Sequence, residues 1–292
     1  MNVYRGLVLV GALVISGCAT IHQSVPPKSS INATTAVSPS ASLPSSDLLP
    51  EQSAVAPETK YIFVQSGGGS ILLGPIFGSM NIAANTREMA EKYKNSIIGI
   101  DPMPIALEAM KIAGINNYNK EAKFSAKNFV FVQHCYDERF RISLVFHVDG
   151  AGEFSEWVGR YTYHLPTSYP VAQFDSLTKE EIENYRTELS KGAAILTSLM
   201  QQDLAGNLPA TGKAIKFGSL DIMGSKLGGM GIYTMPEELF FENAQLIEET
   251  DSYVTVRLSG NMHMTGAFGG MAFGVHRIDK KLVHTLKPMK AS

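Results

Sequence analysis

The sequence predicts an α+β fold, an antiparallel meander sheet packed by helices with a second, strand-rich C-terminal region, and three observations carry that reading. Three apolar-alternating runs, 128–136, 140–148 and 156–164, follow one another with no room for a crossover helix, so neighbouring strands pair antiparallel and a doubly wound parallel sheet is excluded. Residues 175–206 carry a strong amphipathic helix: Ile182, Tyr185, Leu189, Gly192, Leu196 and Leu199 recur at spacings of three and four. Strand patterns then return, at 253–258 and in a terminal hairpin of 274–278 with 282–286 turning at Asp279-Lys280.

Tyr61 to Val64 reads as a short apolar strand, and the three glycines 67–69 break it. Gly74-Pro75 starts a helix with proline at its first position, and a helix over 75–93 places Ile76, Met80, Ala83 and Ala90 on one face. A glycine-rich loop between strand and helix can cradle phosphate, but neither the Lys-Ser/Thr of a P-loop nor Gly-x-Gly-x-x-Gly spacing follows, so a turn is the better reading. Asp101-Pro102 caps a second helix that turns Leu107 and Met110 inward and ends at Gly114. In the meander, Phe140, Ile142, Leu144, Phe146 and Val148 share one face of a half-buried strand. A tight turn around Asp137-Glu138 is expected to set Cys135 near Phe140 on that apolar face and His134 beside Arg141 on the polar one. Thr178 and Glu181 form a capping box for the long helix, closed by Gly206 and Pro209.

The N-terminus has a different character. Met1 to Arg5 is positively charged, 6–15 is apolar but too short to span a bilayer, and Ser16-Gly17 precede Cys18. Ile-Ser-Gly-Cys resembles the lipobox of bacterial lipoproteins. That resemblance implies cleavage before Cys18, acylation of its thiol and new amino group, and, with Ala19 rather than Asp following, transfer to the outer membrane, the periplasmic face being favoured over the cell surface. Two or more acyl chains make attachment stable, at about 0.8 kcal/mol per buried methylene. The implied layout is a signal peptide at 1–17, a lipidated tether at 18–60, a meander-and-helix region at 61–208 and a Gly/Met-rich strand region at 209–292 within the same globular unit. Residues 19–60 hold nine Ser, six Pro, no Gly and no aromatic residue. This composition predicts a disordered tether with a reach of a little over about 100 Å when stretched.

Removing residues 1–17 takes away one arginine and leaves 24 basic against 27 acidic side chains, a balance that argues against a nucleic-acid partner. Cys135, with Cys18 consumed by lipid, is expected to be a buried, inert thiol. His134, His147 and His164 on one sheet face would suit zinc only if their rings converged, so solvated sheet surface is the simpler account. The C-terminal third concentrates six of the thirteen methionines between Met223 and Met271. Met262-His263-Met264, completed by Met223, Met230, Met235 or Met271, could hold Cu(I) or Ag(I); yet a strand sends His263 to the face opposite its neighbours, which favours packing.

No Gly-x-Ser-x-Gly, His-Glu-x-x-His, Cys-x-x-Cys or nucleotide loop occurs. The expectation is therefore a non-enzymatic binding or assembly module, held to the bilayer through acylated Cys18, with an envelope protein as possible partner and no cofactor. Soft-metal binding and an unrecognised envelope hydrolase are the alternatives. The general layout resembles uncharacterised bacterial lipoproteins, which transfers no activity.

Overall fold

The computed structural model describes residues 24–50, 53–64, 75–96, 100–115, 119, 121–135, 138–210, 212–217, 244–259, 271, 273–282 and 286–288. Its strands are β1 (Val37–Ser40), β2 (Ala54–Val55), β3 (Tyr61–Val64), β4 (Phe124–His134), β5 (Arg139–Gly150), β6 (Val158–Pro170), β7 (Lys213–Phe217), β8 (Ala244–Glu249), β9 (Tyr253–Ser259), β10 (Phe273–Asp279) and β11 (Leu286–Pro288). Its helices are α1 (Ala33–Ala36), α2 (Pro75–Tyr93), α3 (Pro102–Ile112) and α4 (Lys179–Leu204). The strands form one mostly antiparallel sheet in the order β11-β7-β8-β9-β10-β6-β5-β4-β3-β2, with β1 pairing β4 in parallel. The α+β class holds.

Local signals act as expected in the helices. The Thr178 hydroxyl and Glu181 carboxylate complete the capping box of α4, and Tyr185, Leu189, Gly192, Leu196 and Leu199 are buried. Asp101 caps α3 through the Met103 N–H, and Gly114 follows its end with φ +81°. In α3, Ala106 and Met110 are buried while Leu107 is half-buried. α2 and β3 have the expected bounds.

The core lies on one face of the sheet. There Phe140, Ile142, Leu144, Phe146 and Val148 meet Tyr185, Leu189 and Leu196 of α4 and Tyr93 of α2. α4 runs antiparallel to β6 and closely upon it: a Cβ built on Gly192 would stand 2.5 Å from Tyr163 Cδ1. Glycine is what permits that approach.

Four expectations are corrected. First, residues 24–50 and 53–60 are not a free tether but a strap on the body. β1 lies on the β4 edge, Val37 opposite Phe124, and Ala33, Val37, Leu49 and Ala56 are buried. Composition judges whether a segment can build its own core; this one borrows a surface, inserting small apolar residues singly between its serines and prolines. Pro39 is tolerated because β1 is an edge strand.

Second, the meander register is shifted by one residue. His134 lies opposite Phe140 and Gln133 opposite Arg141, so His134 takes the helix-covered face and its ring meets Phe140 at 5.6 Å. Side-chain period is two, so one step exchanges faces.

Third, the other face of β5 is not solvated: Ser143, Val145 and His147 are buried. A second apolar cluster of Ile62, Val64, Phe129, Phe131 and Val145 packs there with Leu43, Leu49 and Met271.

Fourth, the terminal hairpin does not form. β10 is flanked by β6 in parallel and β9 antiparallel, so both its edges are occupied. β11 pairs instead with β7 at the sheet margin. The strand-rich C-terminal region thereby shares the sheet of the meander.

Candidate functional site

The central strands carry a buried polar row on the face opposite the helices. Register sets Ser143 opposite His164 and His147 opposite Arg160, while His276 of β10 pairs with Thr162. Ser143 Oγ is 2.8 Å from His164 Nδ1, and His164 Nε2 is 3.0 Å from His276 Nδ1, with the two imidazoles stacked. Burial first, and His276 second, hold the His164 pKa well below its ordinary value, so His164 is neutral.

A second chain begins on β4. Lys127 Nζ lies 2.6 Å from Asp149 Oδ2, and His147 Nε2 lies 2.8 Å from Asp149 Oδ1. Arg160 Nε donates to His147 Nδ1 at 3.3 Å, and its Nη2 donates to the Leu48 carbonyl at 2.7 Å. Burial pushes the His147 pKa down to about 4 despite the Asp149 hydrogen bond. For Asp149, burial alone would raise the pKa, but His147 and Lys127 together overcome it and hold the carboxyl at about 2. His147 is therefore neutral with its proton on Nε2, where it donates to an ionised Asp149 and offers Nδ1 to Arg160. Burial lowers Arg160 to about 10, still charged at neutral pH.

These groups order the sheet and do not assemble an open reaction centre. His147 and His164 stand four residues apart in register, roughly 13 Å along the strands, and His134 is on the other face, so the three-histidine zinc arrangement does not assemble. Among the described residues, no group of three or more His, Cys, Asp or Glu side chains could hold a metal. Ser143-His164-His276 has the connectivity of a nucleophile relay, but Ser143 is buried in mid-strand and the β5 backbone is committed to its ladders with β4 and β6. Among the described residues, the backbone N–H groups of β5 are held in these ladders and are not offered as oxyanion donors. Cys135 is buried, as expected, although the register sets His134 and not Cys135 opposite Phe140. Met271 packs among Ile62, Val64, Phe129 and Phe131; Met223, Met230, Met235, Met262, His263 and Met264 lie outside the described residues, as do Cys18 and the glycines 67–69.

A third polar knot joins the strap, α4 and β9. Asp203 and Arg257, each 2% exposed at the side chain, meet with Nη2 to Oδ1 at 2.6 Å and Nη1 to Oδ2 at 3.3 Å. Tyr161 Oη donates to Asp203 Oδ2 at 2.9 Å, and Arg257 Nη1 donates to Ser24 Oγ at 3.4 Å. Burial, with Asp203 next, pushes the Tyr161 pKa far up, keeping it a donor.

At the opposite end of α4, where β6 leaves the sheet, the polar groups face an open cleft of about 430 Å³. Arg139, Ser168, Gln173, Glu180 and Asn184 are among its lining residues. Arg139 Nε donates to Ser168 Oγ at 2.7 Å and its Nη2 to the Ser168 carbonyl. Thr167 Oγ1 donates to Glu188 Oε1 at 2.6 Å and accepts from Asn184 Nδ2 at 3.3 Å. The floor is stiff, since Tyr169 is buried against the rings of Phe174 and Tyr185. A cleft presenting a guanidinium, a carboxylate, hydroxyls and amides on a fixed aromatic base can orient a small polar ligand by several hydrogen bonds at once.

Sequence reasoning did not single out Arg139, Arg160, Arg257, Asp203, Ser24 or His276. A signal existed for two of them: Arg160 and Arg257 sit in otherwise apolar alternating runs, where an arginine must find a partner inside the fold. No family model, curated protein or solved structure matches the chain.

Proposed function

We propose that this chain is a lipid-anchored protein of the bacterial outer membrane that works by binding, with its ligand surface in the cleft beside Tyr169. One observation carries the reading. The buried charges of the sheet are held by partners inside the fold, whereas the cleft keeps Arg139, Glu180, Gln173 and Asn184 together at the surface. Arg139 commits Nε and Nη2 to Ser168, which fixes the guanidinium plane and leaves Nη1 for a carboxylate. Glu180, exposed on the first turn of α4, offers a partner for an ammonium group. The chemistry matches a small zwitterionic ligand with further hydrogen-bonding groups, as in a cell-wall peptide with or without its sugar. The address rests on the charged, apolar and small-residue succession ending at Cys18.

Calorimetric titration of the mature chain with soluble cell-wall peptide fragments tests this directly. Saturable binding that is lost in Arg139→Ala, with unchanged thermal stability, is the expected result. Absence of binding across such fragments, or binding indifferent to Arg139 and Asn184 substitution, would remove the cleft as the ligand surface. Incorporation of labelled fatty acid by the wild type and its loss in Cys18→Ser checks the anchor separately.

A further inference from the structure

The strap changes how far the body can stand from its anchor. Ser24 is only 7% exposed and accepts from Arg257. Next to it, the Val25 carbonyl accepts from Trp157 Nε1 at 2.9 Å. The chain then follows the C-terminal end of α4, where Ser30 Oγ donates to the Ala205 carbonyl at 2.9 Å and the Ile31 N–H to the Leu204 carbonyl at 2.7 Å. From Cys18 to Ser24 there are six residue steps, and a fully extended chain covers at most ~3.6 Å per step, so roughly 22 Å separates an acylated Cys18 from the point where the strap enters the body. A free tether ending at residue 60 would have allowed about 100 Å or more.

The same end gathers the C-terminus of α3, since the Gln201 side chain bonds the Ala113 carbonyl, and the 3-10 turn Gly152–Phe154. Its exposed side chains include Ile112, at 79%, and Val25, at 41%. Lys28 and Lys111 are exposed there too. Apolar side chains flanked by lysines are suited to the headgroup boundary of a bilayer. Glu153 and Glu156 also lie at this end and are exposed, so the short leash, and not net charge, is what sets the placement.

We propose that the protein docks against the bilayer through its Trp157 end, held there by the short leash between Cys18 and Ser24. The Tyr169 cleft then stands at the far end of α4, whose 26 residues span roughly 39 Å. The inference rests on the acylation of Cys18 proposed above, and its test keeps the two apart.

Trp157 is the only tryptophan in the chain, so it is a native energy-transfer donor placed at the docking end. The full acylated lipoprotein is reconstituted in phosphatidylethanolamine/phosphatidylglycerol vesicles with and without a headgroup-dansylated lipid. Docking predicts that Trp157 loses most of its emission to dansyl. A variant with forty Gly/Ser residues inserted between Gln23 and Ser24 should recover most of it. Failure of the wild type to float with vesicles overturns the lipid-anchor reading. Flotation with Trp157 emission unaffected by dansyl overturns docking while leaving the anchor intact. Undiminished transfer in the insertion variant overturns the role given to the leash.

Discussion

Replacing Arg257 by methionine should be among the most destabilising single substitutions available in this protein. The guanidinium makes a two-pronged pair with Asp203, both side chains 2% exposed, and also holds the Pro209 carbonyl and Ser24 Oγ. Methionine would fill most of the space but leave the Asp203 carboxylate buried, with the Tyr161 hydroxyl as its remaining side-chain donor among the described residues. Breaking a buried ion pair from one side typically costs about 3–5 kcal/mol, a shift of roughly two to four decades in the folding equilibrium. Asp203→Leu should cost a similar amount by stranding the arginine. The double variant removes both charges and leaves only neutral groups short of a partner: the buried Tyr161 hydroxyl, a penalty of about 1–3 kcal/mol, with Ser24 Oγ and the exposed Pro209 carbonyl losing their longer bonds to Arg257. It should therefore be more stable than either single variant. Urea unfolding of the mature, unlipidated chain measures all four members of the cycle, compared by midpoint at constant slope. If the double variant is as unstable as the sum of the singles, Asp203 and Arg257 are not the coupled buried pair described here.

Acid should loosen the same sheet by a different route. The unfolded chain takes a proton on His147 near pH 6.5, whereas the folded chain resists until about 4, so protons favour unfolding within that window. Stability should fall by about 3 kcal/mol between pH 6.5 and 4, with His164 acting in the same direction. Urea midpoints at several pH values should show this, and His147→Gln should flatten the slope; an unchanged slope would contradict a neutral buried His147. Asp149 acts at lower pH: its folded value near 2 contributes stability that is present above its ordinary 3.8 and lost as pH falls toward 2. Gly192→Ala should lower the melting temperature despite its better helix propensity, because the new methyl meets the Tyr163 ring; overpacking of this kind costs about 1–3 kcal/mol, and a higher melting temperature would refute the close contact of α4 on β6. Limited proteolysis should leave residues 24–60 attached to the body, and Val37→Asp, at a buried position on β1, should release them. Selective trimming of that segment from an intact wild-type body would restore the free-tether reading.

Local order was legible in the chain alone. Periodicity and capping located α4, α2 and β3, marked the Phe140–Val148 face as apolar, and placed Cys135 inside, because propensity, side-chain period and caps act within a few residues of chain. Tertiary structure decided which strand meets which edge: β10 lies between β6 and β9, not in a hairpin with β11, and a single register step moves His134 across the sheet. It also decided that the serine- and proline-rich strap is ordered. Its apolar residues are too sparse to fold among themselves, and they become sufficient only against the edge of β4 and the end of α4, surfaces assembled from residues some hundred positions away. The pairing of Asp203 with Arg257, and of Ser143 with His164 and His276, follows from that assembly. So does the cleft, where one end of the meander meets the first turns of the long helix.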